Sequence, residues 1–348
     1  MQPLKLAVIG VGALGRHHAR ILSGLPDVEL IAVVDSNAQQ GRQIAESVGA
    51  RWVSDHRTLV DEVDAVTIAV PTAFHHRVAT DFLENGIPTL VEKPLAADLS
   101  EAVSLVKSAE RTGAILQVGH VERFNPAFQA VERLCDQPRY IRAERFSPFS
   151  FRSTDIGVIH DMMIHDLDLV MALVKSPVTR VEAFGVTLMG EHEDSVQARL
   201  TFENGCVADL SASRIHPTSR RATTIWTKSR CLNVDYSSRE VTSYSPSARL
   251  LYGMSPVERA RQPGADIERL KQEVFGSLIE VHQDTASSQD ALTAELQEFV
   301  DCVRNQAAPT VSGAVAIQSL TIAERLLGIV QATAELEAPA EFRQARAA

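Results

Sequence analysis

Apolar runs alternate with segments of helical spacing through the first third of the chain. Apolar positions recur with the period of a helix at 13–22, 38–48, 76–84 and 100–111. The runs between them are short and continuous, as in strands that are buried on both faces. Strands that alternate with helices predict a doubly wound parallel sheet. The predicted strands are KLAVIG at 5–10, VELIAVV at 28–34, RWV at 51–53, AVTIAV at 65–70, PTLV at 88–91 and ILQV at 115–118.

A different pattern begins near Glu122. Alternating runs follow one another with few helices between them, and Asn204-Gly205 between two runs predicts a tight antiparallel hairpin. We therefore predict an α/β protein with an N-terminal doubly wound parallel sheet at 1–121 and a C-terminal α+β domain at 122–348. The second domain is built on a largely antiparallel open sheet. Its predicted strands lie at 140–146, 178–189, 195–202, 207–215, 222–228 and 231–236.

The last third of the chain mixes loop and helix. A stretch rich in Ser, Pro and Arg at 237–266 predicts a loop, which is an inert surface loop, a lid or a subunit arm. Residues 267–281 predict an amphipathic helix, and apolar stripes at 292–303 and 316–334 predict two helices that pack into a core. We expect the tail after Glu335 to be mobile.

The first predicted strand runs directly into a G-x-G-x-x-G motif, and a predicted helix follows it. In this setting the first glycine makes a tight turn, the second lets the backbone approach a pyrophosphate, and the third lets helix and strand pack closely. Asp35 ends the second strand about 20 residues later, where a carboxylate accepts hydrogen bonds from an adenosine ribose. A glycine turn that only packs is the alternative, and the combination of strand, helix and acid disfavours it. We predict a Rossmann domain whose cofactor contacts include Gly10, Gly12, Ala13, Leu14, Gly15 and Asp35.

The residues at the end of the second strand select the cofactor. The carboxylate of Asp35 repels the 2′-phosphate of NADP, and neither Ser36 nor Asn37 supplies a cation to hold it. The sequence therefore favours NAD.

Polar residues follow two later strands at their carboxyl ends. Pro71 and His75 follow the strand at 65–70, and Glu92 and Lys93 follow the strand at 88–91. This edge of an open α/β sheet binds ligands, so Lys93 can face a cofactor on one side and a substrate on the other. The alternatives are a solvated lysine and a loop histidine that is satisfied within the protein.

A possible base lies in the sequence GVIHDMMIHDLDL at 157–169. Asp161 and His165 are four residues apart, so on an α-helix they lie on one face. A histidine beside a carboxylate is suited to general base catalysis, because the acid fixes the ring tautomer and raises its proton affinity. The alternatives are a buried polar cap and a metal site that adds His160 and Asp166. We predict no metal, since hydride transfer to a nicotinamide needs no Lewis acid.

Four segments resemble the Gfo/Idh/MocA oxidoreductases, a family that includes glucose-fructose oxidoreductase and inositol dehydrogenase. The resemblance extends over nearly the whole chain, and its most specific mark is the Glu-Lys-Pro segment. It implies an enzyme that uses NAD and a second domain that makes subunit contacts, so we expect a homodimer or homotetramer. The segments are VIGVGALGRHHA at 8–19, VPTAFHHRVA at 70–79, GIPTLVEKPLA at 86–96 and VGHVERFNP at 118–126.

The resemblance also implies residue roles. Lys93 is expected to touch both the nicotinamide ribose and the reacting sugar hydroxyl. In the D-x-x-x-H motif His165 takes the hydroxyl proton and Asp161 supports it. One departure is that this chain has DIGV at 155–158, where the family often has a Gly-rich run. Further cofactor contacts are implied for Pro71, His75, Glu92, Lys93 and His120, and substrate contacts for Lys93, Arg123, Asn125 and His165.

Composition narrows the choice of partner. The 348 residues are 45% hydrophobic and carry a formal charge of −10, which disfavours nucleic acid and anionic membranes as partners. The four cysteines form no CxxC pair, so neither a zinc site nor a disulfide framework is indicated. No export signal or membrane span is predicted. We expect a cytoplasmic protein with a small-molecule substrate.

The substrate is predicted from a closer likeness inside the family. GRHHARIL, GHVERFNPAF and GVIHDMMIHDLDLV resemble the subgroup that oxidises the 3-hydroxyl of UDP-N-acetylglucosamine. Basic residues at 214–230 are either a diphosphate site or a solvated strand face. The rival functions are a dehydrogenase of a free sugar or inositol, and an NAD-binding sensor without catalysis. Retention of Lys93, Asp161 and His165 argues against the sensor.

Overall fold

The computed structural model describes residues 2–285 and 289–337 of the chain. These residues form two compact units, one of 2–124 with 289–324 and the other of 125–285 with 325–337. The domain boundary at 121/122 stays a prediction, whereas 289–324, expected in the second domain, cluster with the first unit. Beyond residue 337, the tail predicted to be mobile lies outside the described residues.

The first unit contains a six-stranded sheet. Its strands are β1 (Leu4–Ile9), β2 (Val28–Val34), β3 (Arg51–Val53), β4 (Ala65–Ile68), β5 (Thr89–Glu92) and β6 (Leu116–Gly119). Their order is β3-β2-β1-β4-β5-β6, and every neighbouring pair is parallel. The chain thus starts in the middle of the sheet and winds outward in both directions, which confirms the predicted doubly wound fold.

Helices follow the strands of this sheet. They are α1 (Gly15–Leu22), α2 (Ala38–Val48), α3 (His75–Leu83) and α4 (Leu99–Thr112). The side chain of Asn37 caps α2 by accepting from the amides of Gln39 and Gln40, and Asp98 caps α4 by accepting from that of Glu101. α1 begins later than predicted, because Ala13 and Leu14 still belong to the glycine loop.

The second unit is built on an eight-stranded sheet. Its strands are β7 (Tyr140–Phe146), β8 (Val178–Val186), β9 (Ser195–Phe202), β10 (Val207–Ser213), β11 (Arg220–Trp226), β12 (Cys231–Asp235), β13 (Glu240–Pro246) and β14 (Ile279–Thr285). The order is β14-β13-β12-β11-β7-β10-β9-β8, and among these described strands only β7 and β10 pair in parallel. Gly205 turns the β9–β10 hairpin with a φ of +83°. The largely antiparallel sheet and its hairpin are confirmed.

Helical segments of the second unit include α5 (Pro126–Leu134), α6 (Ile164–Val174), α7 (Ala248–Tyr252), α8 (Pro256–Ala260) and α9 (Ile267–Glu273). A π-helical turn at Ile159–Met163 leads into α6. The prediction for 237–281 was partly wrong, since β13 lies in the expected loop and the expected helix is α-helical only to Glu273. A π-helical segment at Val274–Leu278 follows and leads into β14. The residues of 279–285 form an edge strand instead, because they pair with β13 and this pairing outweighs local helix propensity.

Two helices follow near the carboxyl end, α10 (Ala291–Asn305) and α11 (Gly313–Glu337). The apolar stripe of α10 joins one buried cluster with β1 and α1, which confirms that it packs into a core. Its fully or nearly fully buried members are Leu296, Phe299, Val300 and Val303.

α11 is long and apolar enough to cross a membrane by length and composition alone. Over Gly313–Thr333 its mean hydropathy is 1.4, and 44% of that window is buried inside the protein. A core helix passes the same test, so one such helix is weak evidence for a membrane span.

Candidate active site

The glycine loop between β1 and α1 is tightly packed at its ends and open in its middle. Gly10 has a φ of +84°, and a Cβ atom there would lie 2.8 Å from the carbonyl oxygen of Ala69. A Cβ atom on Gly15 would overlap the carbonyl oxygen of Gly10. A Cβ atom on Gly12 would have no described atom within 4 Å. The loop therefore leaves room at the glycine where a pyrophosphate approaches the backbone.

The first turn of α1 suits an anion. Leu14 occupies the N-cap position without a side-chain cap, and the first turn, within the described range 2–285, contains no acidic residue. The amides of Arg16 and His17 already donate to the carbonyl oxygens of Gly12 and Leu14, so an anion would approach the amides that precede them, where the helix dipole favours a negative ligand. The residues present fit a dinucleotide pyrophosphate.

Asp35 connects the end of β2 to the glycine loop. Its Oδ2 accepts a hydrogen bond from the amide of Val11 at 3.0 Å, and its Oδ1 accepts from that of Asn37 at 2.8 Å. The side chain is half-buried. A carboxylate has about four acceptor positions, so two protein bonds leave capacity for a ribose hydroxyl.

Glu92 is packed inside the first unit. Its side chain is nearly buried, and Oε1 lies 3.0 Å from Nε2 of the fully buried His18 on α1. A Cβ atom on Gly119 of β6 would lie 2.8 Å from the Glu92 carboxyl group. Glu92 of β5 thus lies against both α1 and β6. No sequence pattern indicated a role for His18, although it lies in the GRHHA segment, and the cofactor contact of Glu92 stays a prediction.

His75 links two loops at the same edge of the sheet. The ring is 1% exposed, with Nδ1 at 2.8 Å from the carbonyl oxygen of Pro94 and Nε2 at 2.9 Å from that of Val70. Burial lowers the pKa of His75 below its ordinary value, although the two carbonyls favour the protonated ring. These contacts support the segment that follows Lys93, whereas contact with the cofactor, like that of Pro71, stays a prediction.

Lys93 and His120 follow strands that lie side by side. Glu92 of β5 pairs with Gly119 of β6, and the next residue in each strand is Lys93 or His120. Lys93 is half-buried, and the His120 ring is 1% exposed. Arg123 is half-buried in the short 3₁₀ turn that comes next. The structure therefore places Lys93 and His120 at one edge of the parallel sheet.

Asn125 makes hydrogen bonds within the second unit. Its Oδ1 accepts from the amide of Ala127 and so caps α5, while Nδ2 donates to the carbonyl oxygen of Tyr236 at 3.3 Å. The side chain is 8% exposed. Its predicted role in substrate binding remains a prediction, and the same holds for Arg123.

Asp161 lies in the π-helical turn at Ile159–Met163, and His165 lies in the first turn of α6. The α-helical spacing on which the shared face of these two residues was argued therefore does not hold at this point. A π turn is wider than an α turn and is found frequently at functional sites. Both side chains are half-buried, so they are reachable yet held by their surroundings.

A buried ion pair fixes α6 to the sheet of the second unit. Arg145 of β7 donates to Asp166 through Nε at 3.0 Å and through Nη2 at 2.9 Å, and both side chains are almost fully buried. Asp166 follows His165 directly, so this bidentate pair anchors the helix next to the predicted base. No sequence pattern indicated Arg145.

The basic residues at 214–230 do not share one environment. Arg214 is 6% exposed, and its Nε lies 2.7 Å from Oδ1 of the fully buried Asp194. Its Nη1 donates to the carbonyl oxygens of Ser153 and Ile156. Arg220 is exposed and pairs with Glu144. Arg214 supports the loop before the π turn, so it fits neither a diphosphate site nor a solvated strand face. A diphosphate role for the other basic residues stays a prediction.

Candidate metal ligands do not converge in the part of the chain that the structure describes. No group of three or more His, Cys, Asp or Glu residues there is placed to hold an ion. Asp166, one of the four residues in the metal hypothesis, is engaged by Arg145. The absence of a metal stays a prediction.

Two family descriptions match successive parts of the chain. "Oxidoreductase family, NAD-binding Rossmann fold" matches residues 4–120, and "GFO/IDH/MocA C-terminal domain" matches residues 130–230. Together they cover more than half of the sequence.

Named relatives resemble the chain over most of its length. UDP-N-acetylglucosamine 3-dehydrogenase of Acidithiobacillus ferrooxidans is 34% identical over 301 residues, which is 86% of this chain and 88% of the relative. A solved structure of that enzyme matches with a TM-score of 0.83 and covers 95% of this chain and 99% of its own. The scyllo-inositol 2-dehydrogenase (NAD(+)) of Bacillus subtilis is 28% identical and covers 89% of each chain.

The fold recurs at lower identity in an oxidoreductase from Agrobacterium radiobacter, solved in complex with NAD+, L-tartaric acid and magnesium. That structure has a TM-score of 0.79 at 18% identity, and the match covers 95% of this chain and 97% of the other. At this identity the likeness shows the fold alone.

Proposed function

Because the chain belongs to the Gfo/Idh/MocA oxidoreductase family, with an NAD-binding Rossmann fold over residues 4–120, we propose that it oxidises a secondary hydroxyl of a sugar. The proposed substrate is a UDP-N-acetylhexosamine and the proposed position is its 3-hydroxyl. The observation that carries the proposal is the 34% identity over 86% of the chain to an enzyme named for that reaction.

Oxidation of a secondary alcohol to a ketone removes two hydrogens as different species. NAD, when bound, accepts the carbon-bound hydrogen as a hydride. The hydroxyl proton needs a base, and His165 has that role, with Asp161 supporting the ring. Lys93 donates a hydrogen bond to the hydroxyl oxygen and so holds it in place. The half-buried state of all three side chains is compatible with contact to a ligand.

The first unit supplies the cofactor contacts. The uncapped start of α1 and the open face of Gly12 receive the pyrophosphate, and Asp35 accepts from the adenosine ribose. Glu92 and His75 maintain the shape of the sheet edge from which Lys93 projects, through their contacts with His18 and Pro94.

Two other functions are alternatives to a UDP-sugar dehydrogenase. A free sugar or inositol dehydrogenase would use the same catalytic residues, and the Bacillus relative named for scyllo-inositol covers 89% of the chain. A sensor that binds NAD without catalysis would have no need of Lys93, Asp161 and His165 together. The higher identity to the UDP-sugar enzyme, 34% against 28%, favours the nucleotide sugar.

Formation of NADH with different substrates tests the proposal. We would compare UDP-N-acetylglucosamine, free N-acetylglucosamine and scyllo-inositol, with a ketone trap because alcohol oxidation by NAD is often uphill. The UDP-sugar should react with the highest kcat/KM, and H165A should serve as the blank. A faster reaction with either free compound would reject the UDP-sugar. Saturable NAD binding without turnover of any of them would favour the sensor.

The proposal includes a homo-oligomer, as expected from the resemblance, and a cytoplasmic location, as expected from the cysteine pattern and from the lack of a predicted export signal. Sedimentation of the purified protein at several concentrations would test the assembly state, and a monomer at all concentrations would reject it.

A further inference from the structure

Glu193 lies against the start of the helix that contains Asp161 and His165. Its Oε1 accepts a hydrogen bond from the amide of Ile159 at 3.1 Å, and its carbonyl oxygen accepts from the amide of Val158 at 3.0 Å. Glu193 thus binds two successive amides that open the π turn. The first amides of a helix have no partner within the helix, so this residue acts as a cap from a distant part of the chain.

Gly157 makes room for this cap. A Cβ atom on Gly157 would overlap the carboxyl group of Glu193, and the residue is buried. Its φ lies outside the left-handed region, so the backbone itself would accept alanine. The glycine is therefore required by the neighbouring carboxyl group and not by the turn.

The position of Glu193 is itself fixed by its neighbour. Asp194 is fully buried, and its Oδ2 accepts from the amides of Leu188 and Met189 at 2.7 Å each. Its Oδ1 pairs with Arg214, which also donates to the carbonyl oxygens of the loop before Gly157. The β8–β9 connection and the loop before the helix are thereby held to each other at the point where Glu193 lies.

The π turn makes the helix sensitive to this cap. Relaxation of a π turn to an α turn shifts the residues before it by one position relative to those after it, which is about 100° around the helix axis. Asp161 lies within the turn and His165 lies beyond it. A change at the capped end would therefore change how these two side chains are presented relative to each other.

We propose that Glu193 is a positioning residue that holds the π turn in the geometry in which Asp161 supports His165. This inference rests on the proposed roles of Asp161 and His165. It assigns a supporting role to Glu193, which lies 34 positions after Ile159 in the sequence. Glu193 acts through its shape and its hydrogen bond to the amide of Ile159. A side chain of similar shape that keeps the acceptor oxygen should therefore be able to replace Glu193.

Kinetics of single variants provide the first test. E193A should lower kcat about 10- to 100-fold, the usual effect of misplacing a reacting group, while KM for NAD stays within twofold of wild type. E193Q keeps an oxygen that accepts from Ile159 and should stay within about threefold of wild type. S247A is the matched control, because Ser247 is a buried cap of α7 in the same unit and its loss should not lower kcat.

A double variant gives a sharper test. G157A should resemble E193A, because its methyl group displaces the carboxyl group. In the E193A background the same methyl group meets no carboxyl, so G157A/E193A should be no slower than E193A alone. Three outcomes would overturn the inference. They are additive losses of kcat in the double variant, a kcat of E193Q as low as that of E193A, and an equal loss of kcat in S247A.

A readout without turnover separates this inference from the proposed function. The imidazole signals of His165, assigned by comparison with H165A, should shift in E193A and G157A and stay in place in E193Q and S247A. Unchanged signals in E193A would overturn the positioning role even if the enzyme oxidises a sugar. Shifted signals in a protein that oxidises no sugar would support the positioning role while the proposed function fails.

Discussion

At the scale of single residues, Asp35 connects the end of β2 to the glycine loop by accepting hydrogen bonds from the amides of Val11 and Asn37. A carboxylate has about four acceptor positions, so these two bonds leave capacity for a ribose hydroxyl.

Cofactor choice should depend on Asp35. D35N keeps an acceptor for the amide of Val11 but removes the charge that repels a 2′-phosphate, so the preference for NAD over NADP should fall by about 1 to 3 kcal/mol. D35A should also weaken NAD binding, because it loses the acceptors altogether. Titration of both cofactors by fluorescence would measure these changes, and a wild-type preference for NADP would reject the role of Asp35.

Turnover should depend on Lys93 and His165. K93M and H165A should each lower kcat by about two to four orders of magnitude, the contribution of a positioned acid or base group, while NAD still binds. H160A is the matched control, since His160 lies in the π turn but has no role in the proposed chemistry. Near-normal turnover of H165A across the pH range would show that another group is the base.

Residue roles that follow from local sequence could be predicted, whereas those that depend on distant partners could not. Gly10, Gly15 and Asp35 were assigned from strand, spacing and chemistry, and the structure gives the two glycines the predicted packing. The contacts of Glu193 and Arg145 could not be predicted, because their partners lie 34 and 21 residues away and no short motif joins them.

At the scale of elements, the strongly periodic segments were predicted well and the irregular ones were not. The parallel strands and the Asn204-Gly205 hairpin follow from patterns that no tertiary contact opposes. The π turn differs from an α-helix by its hydrogen-bond register, which leaves no mark on apolar spacing. β14 has a sequence compatible with helix, and only its pairing with β13 makes it a strand.

The link between the β8–β9 connection and β10 should be sensitive to acid. Burial raises the pKa of Asp194, but the amides of Leu188 and Met189 and the Arg214 guanidinium outweigh it and hold that pKa below its ordinary 3.8. A carboxyl whose pKa is lowered on folding stabilises the protein above its unfolded pKa, and this contribution is lost as the pH falls through the folded pKa.

D194N tests this link directly. The substitution should lower the free energy of unfolding by about 3 kcal/mol near neutral pH, because it leaves the buried Arg214 without a countercharge. Denaturant unfolding would be measured from pH 7 to below pH 4. The difference in unfolding free energy between D194N and wild type should decrease only at the acid end, where Asp194 of the wild type becomes protonated. A difference that stays constant over that range would mean that Asp194 does not act through its charge.

At the scale of the whole molecule, the fold class could be predicted but the path of the chain between the units could not. Residues 289–324 return to the first unit after the whole second sheet has been formed. The amide of Val118 donates to the carbonyl oxygen of Val311, and Gln117 bridges to Ser312, so the returning segment adds to the edge of β6. Apolar periodicity indicates that a helix is buried, yet it does not indicate which core buries it.

The NAD-binding unit should therefore depend on a helix that lies far beyond it in sequence. Phe299 of α10 is fully buried in one cluster with Leu6 and Val8 of β1, directly before the glycine loop. F299A removes most of a buried aromatic side chain and should cost about 3 to 5 kcal/mol. Because this cluster belongs to the first unit, the loss should raise hydrogen exchange at the amides of β1 and α1 and weaken NAD binding, while amides of β9 and β10 keep their protection.

V281A is the matched control for F299A, since Val281 is an exposed apolar residue of β14 and its truncation should leave the exchange of β1 unchanged. If F299A deprotected β9 and β10 but not β1, α10 would stabilise the second unit, and the domain division predicted from sequence would be the better description.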